Sequence, residues 1–62
     1  MIKVKIKYVT KNRKFKQYIK EKCKIPPYET LNGTVEFFTS EDNIDILLSA
    51  ESNNIIKILT TI

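Results

Sequence analysis

The sequence predicts a single α+β domain over residues 1–62, in the order β-α-β-β-α, with a three-stranded, mostly antiparallel sheet and two helices on one face. Three observations lead there. The chain opens on strict alternation of apolar residues with lysine, the period of a strand with one buried and one wet face. A stretch with helical spacing follows and stops before a Pro-Pro pair. Turn-forming residues then divide the second half into short apolar runs. A chain this short buries only about 60% of the surface its unfolded form exposes, so its core is small and added burial against a partner would stabilise it.

In the first strand Ile2, Val4, Ile6 and Tyr8 point inward, and Lys3, Lys5 and Lys7 line the open face. Thr10 to Asn12 is a polar break in which either Asn12 or Thr10 can cap a helix. Phe15, Tyr18, Ile19 and Cys23 then fall on one helical stripe, with Lys14, Lys16, Lys20 and Lys24 elsewhere on the cylinder. Pro26 disfavours a helical Ile25, so this helix ends near Lys24, where lysines suit the negative end of its dipole. Residues 26–33 form a loop closed by the Asn32-Gly33 turn signal. Residues 34–39 read as a strand with Val35 and Phe37 on one face, 40–43 as a turn, and 44–49 as a further strand completing an antiparallel hairpin. Ser52 or Asn53 then caps a short last helix carrying Ile55, Ile56, Leu59 and Ile62 on its apolar side. A right-handed crossover sets the first helix on the sheet, with the second packed beside it.

Composition excludes several classes of function. Without histidine the chain lacks the commonest general base and metal ligand. One cysteine excludes an intrachain disulfide framework and any CxxC zinc site. No apolar run exceeds three residues, so no segment spans a membrane, and the opening MIKVKIKYV is no signal peptide. The expectation is a soluble cytoplasmic protein that is not an enzyme and has no cofactor, metal or small-molecule ligand.

Charge is unevenly distributed. The net charge is +4, yet residues 1–24 hold ten Lys and Arg against Glu21 alone, while residues 25–62 hold only Lys57 against six acids. Such a split predicts a basic face that meets a phosphate backbone or an acidic protein, or else a face that is merely solvated. Lys3, Lys5, Lys7, Lys14, Lys16 and Lys20 are the candidate RNA-facing residues. The aromatics offer little stacking surface on this reading, because Tyr8 and Tyr18 fall on core faces and only Tyr28 is free. Cys23 has lysine neighbours that favour a thiolate, but its place on the helix stripe makes it a small buried hydrophobe. Glu41, Asp42 and Asp45 lack the spacing and turning glycine of a calcium loop and read as a charged hairpin tip. The isoleucine-rich last segment has more apolar surface than one helix stripe needs. With a free sheet edge it forms the candidate partner interface: Leu47, Ile55, Ile58, Leu59 and Ile62, with Leu47 and Ile58 expected to face outward.

The run VEFFTSEDNIDILLSAESNNIIKIL resembles the hairpin and second helix of the Pcc-type small subunit of the archaeal KEOPS tRNA-modification complex. Val35-Glu36-Phe37, Ile44 to Leu48, Ala50, and Ser52 to Asn54 fall in that register, and Ile25-Pro26-Pro27-Tyr28 stands where the family has a hydrophobic-Pro-polar segment. The family's second helix continues where Thr60-Thr61-Ile62 closes this sequence, which points to the divergent fifth-subunit paralogue. The resemblance implies a non-catalytic accessory subunit that pairs as a heterodimer with the paralogous small subunit. It would support threonylcarbamoyl modification of the tRNA adenosine beside the anticodon while touching tRNA weakly or indirectly. The alternatives are a stand-alone basic nucleic-acid-binding module and, further off, a small viral inhibitor that masks an enzyme surface.

Overall fold

The computed structural model describes residues 1–61 and contains β1 (Ile2–Tyr8), α1 (Arg13–Cys23), β2 (Thr34–Thr39), a 3-10 turn (Glu41–Asn43), α2 (Ile44–Ser52) and β3 (Ile56–Thr61). The class is α+β, with three antiparallel strands in one open sheet and two helices. The sheet order is β2-β1-β3, so the first strand is central and pairs antiparallel with both neighbours.

The first half follows its local signals. Val4, Ile6 and Tyr8 are buried while Lys7 is exposed, as the alternation requires. The Asn12 side chain accepts from the Lys14 N–H at 2.9 Å, and Thr10 Oγ1 accepts from the Asn12 N–H, so both candidate caps act at the start of α1. The helix stops at Lys24, which takes a left-handed conformation (φ 54°) and closes the last turn. Ile19 and Cys23 are buried, but Phe15 and Tyr18 are each about half exposed, because α1 rests on the sheet along a narrower stripe than their spacing predicts. The Asn-Gly turn is present, with Gly33 at φ 76°.

The second half departs from expectation at two elements. Residues 44–49 are not a strand: after Ser40 the chain makes a 3-10 turn and runs into α2, which buries Leu47 and Ala50, three residues apart on one face. Ser52 and Asn53 do not start a helix but end one, and Asn54 (φ 60°) turns the chain into β3. The last helix is therefore a strand. No hairpin joins the second and third strands, which lie on opposite sides of β1 with α2 as the crossover between them. Two part-buried hydrogen bonds fix that crossover. Asn43 Nδ2 donates to the buried Thr39 hydroxyl at 2.9 Å, and Glu51 Oε2 accepts from the Ile58 N–H at 2.8 Å.

A single core lies between the helices and one face of the sheet, built from Val4, Ile6, Ile19, Leu47 and Ile56 with Cys23, Val35, Phe37 and Ala50. Both helices occupy that face. In β3, Ile6 pairs with Ile58 and Lys5 with Thr60, so Leu59 is an extra residue, a β-bulge. The bulge and the Glu51 carboxylate together blunt the free edge of β3.

Candidate nucleic-acid interface

Because both helices cover one side, the other side of the sheet is bare. Cross-strand partners share a face, so the register places its residues side by side. Lys3 lies opposite Phe38, Lys5 opposite Glu36 and Thr60, and Lys7 opposite Thr34 and Lys57. The bare face thus carries Lys3, Lys5, Lys7 and Lys57 against one carboxylate, Glu36.

That carboxylate is already engaged. Lys3 Nζ meets Glu36 Oε1 at 2.8 Å; the hydrogen bond from Lys3, followed by the charges of Lys3 and Lys5, holds the Glu36 carboxyl below the usual carboxylate range. Among the described residues Lys5, Lys7 and Lys57 have no ion-pair partner. Lys7 and Lys57 are directly opposed like charges, an arrangement that destabilises a sheet.

An aromatic pair borders the lysines on the β2 side. Phe38 is 62% exposed on the bare face, and Tyr28 is 71% exposed on the loop beside β2. The two share a concave surface with Lys3, Lys24, Pro26 and Glu36. A second hollow, bounded by Lys5, Tyr28, Glu29, Thr30, Thr34 and Glu36, adjoins it. Tyr28 projects from a constrained loop: Ile25 is buried before it, Pro26 and Pro27 fix backbone φ, and Glu29 pairs with Lys16 after it. Thr30 then exchanges backbone hydrogen bonds with Thr34 and Gly33 at 2.9 Å.

The structure divides the sequence-predicted cations. Lys3, Lys5 and Lys7 come together on the bare face, whereas Lys14, Lys16 and Lys20 lie on α1, in the opposite layer. Lys16 and Lys20 sit over the Tyr8 ring, 4.7 and 5.7 Å from its centroid. The proposed partner residues do not form one surface. Leu47 is fully buried instead of facing outward, since it is on the inner side of a helix and not of a strand. Ile58 is opposite the inward Ile6 and packs with Ile55 against the core. Leu59 is partly exposed at the bulge, and Ile62 lies outside the described residues. Burial raises the Cys23 thiol pKa, the opposite of what a reactive cysteine needs. Glu41, Asp42 and Asp45 occupy helix first turns, where carboxylates meet the positive end of the dipole.

Phe38 and Lys57 were missed in the sequence. Alternation from the inward Phe37 places Phe38 on the outer face, a signal sufficient to find it. Lys57 falls within the last helix that the spacing predicts, and so on no face shared with the β1 lysines.

A second surface lies between α1 and α2, a groove of about 350 Å³ lined by Tyr18, Ile46, Ser49, Asn53 and Ile55, with Asp45 at its rim. Comparison with protein-family models, curated proteins and solved structures found no match for this chain.

Proposed function

We propose that this chain is a non-catalytic nucleic-acid-binding module whose helix-free sheet face follows a phosphate backbone. The observation that carries the reading is the direct opposition of Lys7 and Lys57, with Lys5 adjacent and none of the three in an ion pair among the described residues. Like charges held in register lower fold stability, and a polyanion placed across them would relieve the repulsion. The reading includes a cytoplasmic location, which a free buried thiol fits. No helix among the described residues is long and apolar enough to cross a membrane.

Lys57→Glu tests this without confusing binding with folding. It replaces a repulsive cross-strand pair by an attractive one, so thermal unfolding should shift upward, while affinity for an oligonucleotide at low salt falls at least about tenfold. A variant that is more stable and binds equally well would remove the sheet face from the function.

An assembly subunit is the second reading, favoured by the half-exposed Tyr18 at the inter-helix groove and by the exposed Phe15 and Leu48 on the same two helices. The strand at 44–49 and the last helix capped at Ser52 or Asn53, which accompanied the resemblance to the small KEOPS subunit, are α2 and β3, so this second reading rests on the exposed apolar side chains of the α1–α2 side and takes a protein partner there.

A further inference from the structure

We infer that the β2 side of the bare face is built for single-stranded nucleic acid, with unpaired bases stacking on Phe38 and Tyr28 while Lys5 and Lys24 follow the phosphates. The inference rests on the nucleic-acid reading above and adds the class of substrate.

A surface that only attracts phosphate needs cations and no aromatics. Here two large rings are exposed where burial would be favourable, at 62% for Phe38 and 71% for Tyr28. Both adjoin the lysines, sharing one hollow with Lys3 and Lys24. Neither exposure comes from a loose segment. Phe38 is in a paired strand opposite Lys3, and Tyr28 stands between a buried Ile25 and the Glu29–Lys16 ion pair. Alternation of fixed aromatic faces with cations is the chemistry of sheet platforms that stack splayed bases. A duplex hides its base faces within its own stack, so it can use the lysines but not the rings.

The adjoining hollow at Lys5, Tyr28, Thr30 and Thr34 gives a strand leaving the Phe38 end a continuous path along β2; its two carboxylates, Glu29 and Glu36, are already paired with Lys16 and Lys3. The two threonine hydroxyls are hydrogen-bonded to each other and so offer polar contacts without charge. Pairing with a protein strand at this edge is the competing occupant. It would use backbone groups of β2 and leave Lys5 and Lys24 without an ion pair among the described residues, so charge complementarity favours the nucleic acid.

The test uses the full chain with fluorescein-labelled dT12, U12 and a 12-base-pair duplex at low salt. Both single strands should bind at least about fivefold tighter than the duplex. Phe38→Ala and Tyr28→Ala should each cost the single strands about fivefold or more and change duplex binding less than about twofold. Phe38→Trp keeps a stacking face and introduces the chain's sole tryptophan, so binding should survive and quench the indole fluorescence. Comparable U12 and dT12 affinity means stacking and phosphate contacts suffice, and a preference for U12 adds contacts from the threonines to the ribose 2′-hydroxyl; either supports the inference. Duplex bound as well as single strands, alanine variants that bind normally, or an unquenched indole would overturn it. If lysine substitutions abolish binding while the aromatic ones do not, the single-strand inference fails and the basic-face reading stands. If the chain binds none of the three probes, both fail.

Discussion

Tyr8 is only 8% exposed, yet its hydroxyl meets no hydrogen-bond partner among the described residues. Burial first, then the nearby Glu29 and Cys23, pushes its pKa up to about 12. The ring contributes more than the hydroxyl, since it fills the end of the core and carries Lys16 and Lys20 on its face. Removing an unsatisfied buried hydroxyl while keeping the ring should be neutral or stabilising, by up to about 1 kcal/mol for Tyr8→Phe. The pH dependence follows from the raised pKa. Unfolded tyrosine ionises near pH 10, so between about 10 and 12 the unfolded chain binds fewer protons than the folded one, and stability falls as pH rises. This contribution is fully present below pH 10. Urea unfolding of wild type and Tyr8→Phe from pH 8 to 12 should give curves that separate above pH 10 in favour of the variant. Parallel curves would mean that the hydroxyl finds a partner.

At the scale of elements, what was legible depended on how many independent signals agreed. Alternation, charge and the polar break all mark β1, and a cap, a stripe and a proline stop mark α1. Residues 44–52 carry a weaker period. Ile44, Ile46 and Leu48 alternate with Asp45 and Leu47 as a strand would, and nine residues are too few to separate the two periods. The discriminating signal was Ser40-Glu41-Asp42, a polar start with acids in the first turn, which favours a helix. For β3 the signal was the β-branched content of residues 55–61, which propensity assigns to a strand despite apolar residues three and four apart. The candidate site was half legible for the same reason: β1 supplies three of its lysines, but which strands flank β1 is a tertiary choice that no local pattern records. Correct assignment of α2 changes the expected behaviour of its leucines. Leu47→Ala opens a cavity in a small core and should cost about 2–5 kcal/mol, enough to unfold much of the population. The exposed neighbour Leu48→Ala should change stability by less than about 1 kcal/mol. Circular-dichroism melts of the two variants check this, and the reverse ranking would restore the strand.

Across the whole molecule, the N-terminal excess of cations becomes two basic surfaces on opposite sides of the fold, because β1 and α1 present their lysines in opposite directions. They are not equivalent. On α1, Lys16 is tied to Glu29, Lys20 lies over Tyr8 and Lys22 lies 5.7 Å from the Tyr18 centroid. On the sheet, Lys5, Lys7 and Lys57 have no ion pair among the described residues and lie in register on one face. The remaining pole, from Thr39 to Ile56, contains no Lys or Arg and carries Glu41, Asp42, Asp45 and Glu51. The field of the molecule therefore turns an approaching polyanion away from the α2 end and leaves two basic sides to compete for it. Local geometry decides between them, since cations already engaged release fewer counterions on contact. Lys5→Gln with Lys7→Gln should weaken single-strand binding by more than about tenfold and make the log–log salt slope shallower by about 1.4, roughly 0.7 per lost phosphate contact. Lys20→Gln with Lys22→Gln removes the same net charge from α1 and should cost less than about threefold, with the slope nearly unchanged. Anisotropy titrations between 50 and 200 mM salt (~fourfold in ionic strength) resolve that difference. Equal losses from the two pairs would show that only net charge matters, and the ordered lysine face would then have no special part in binding.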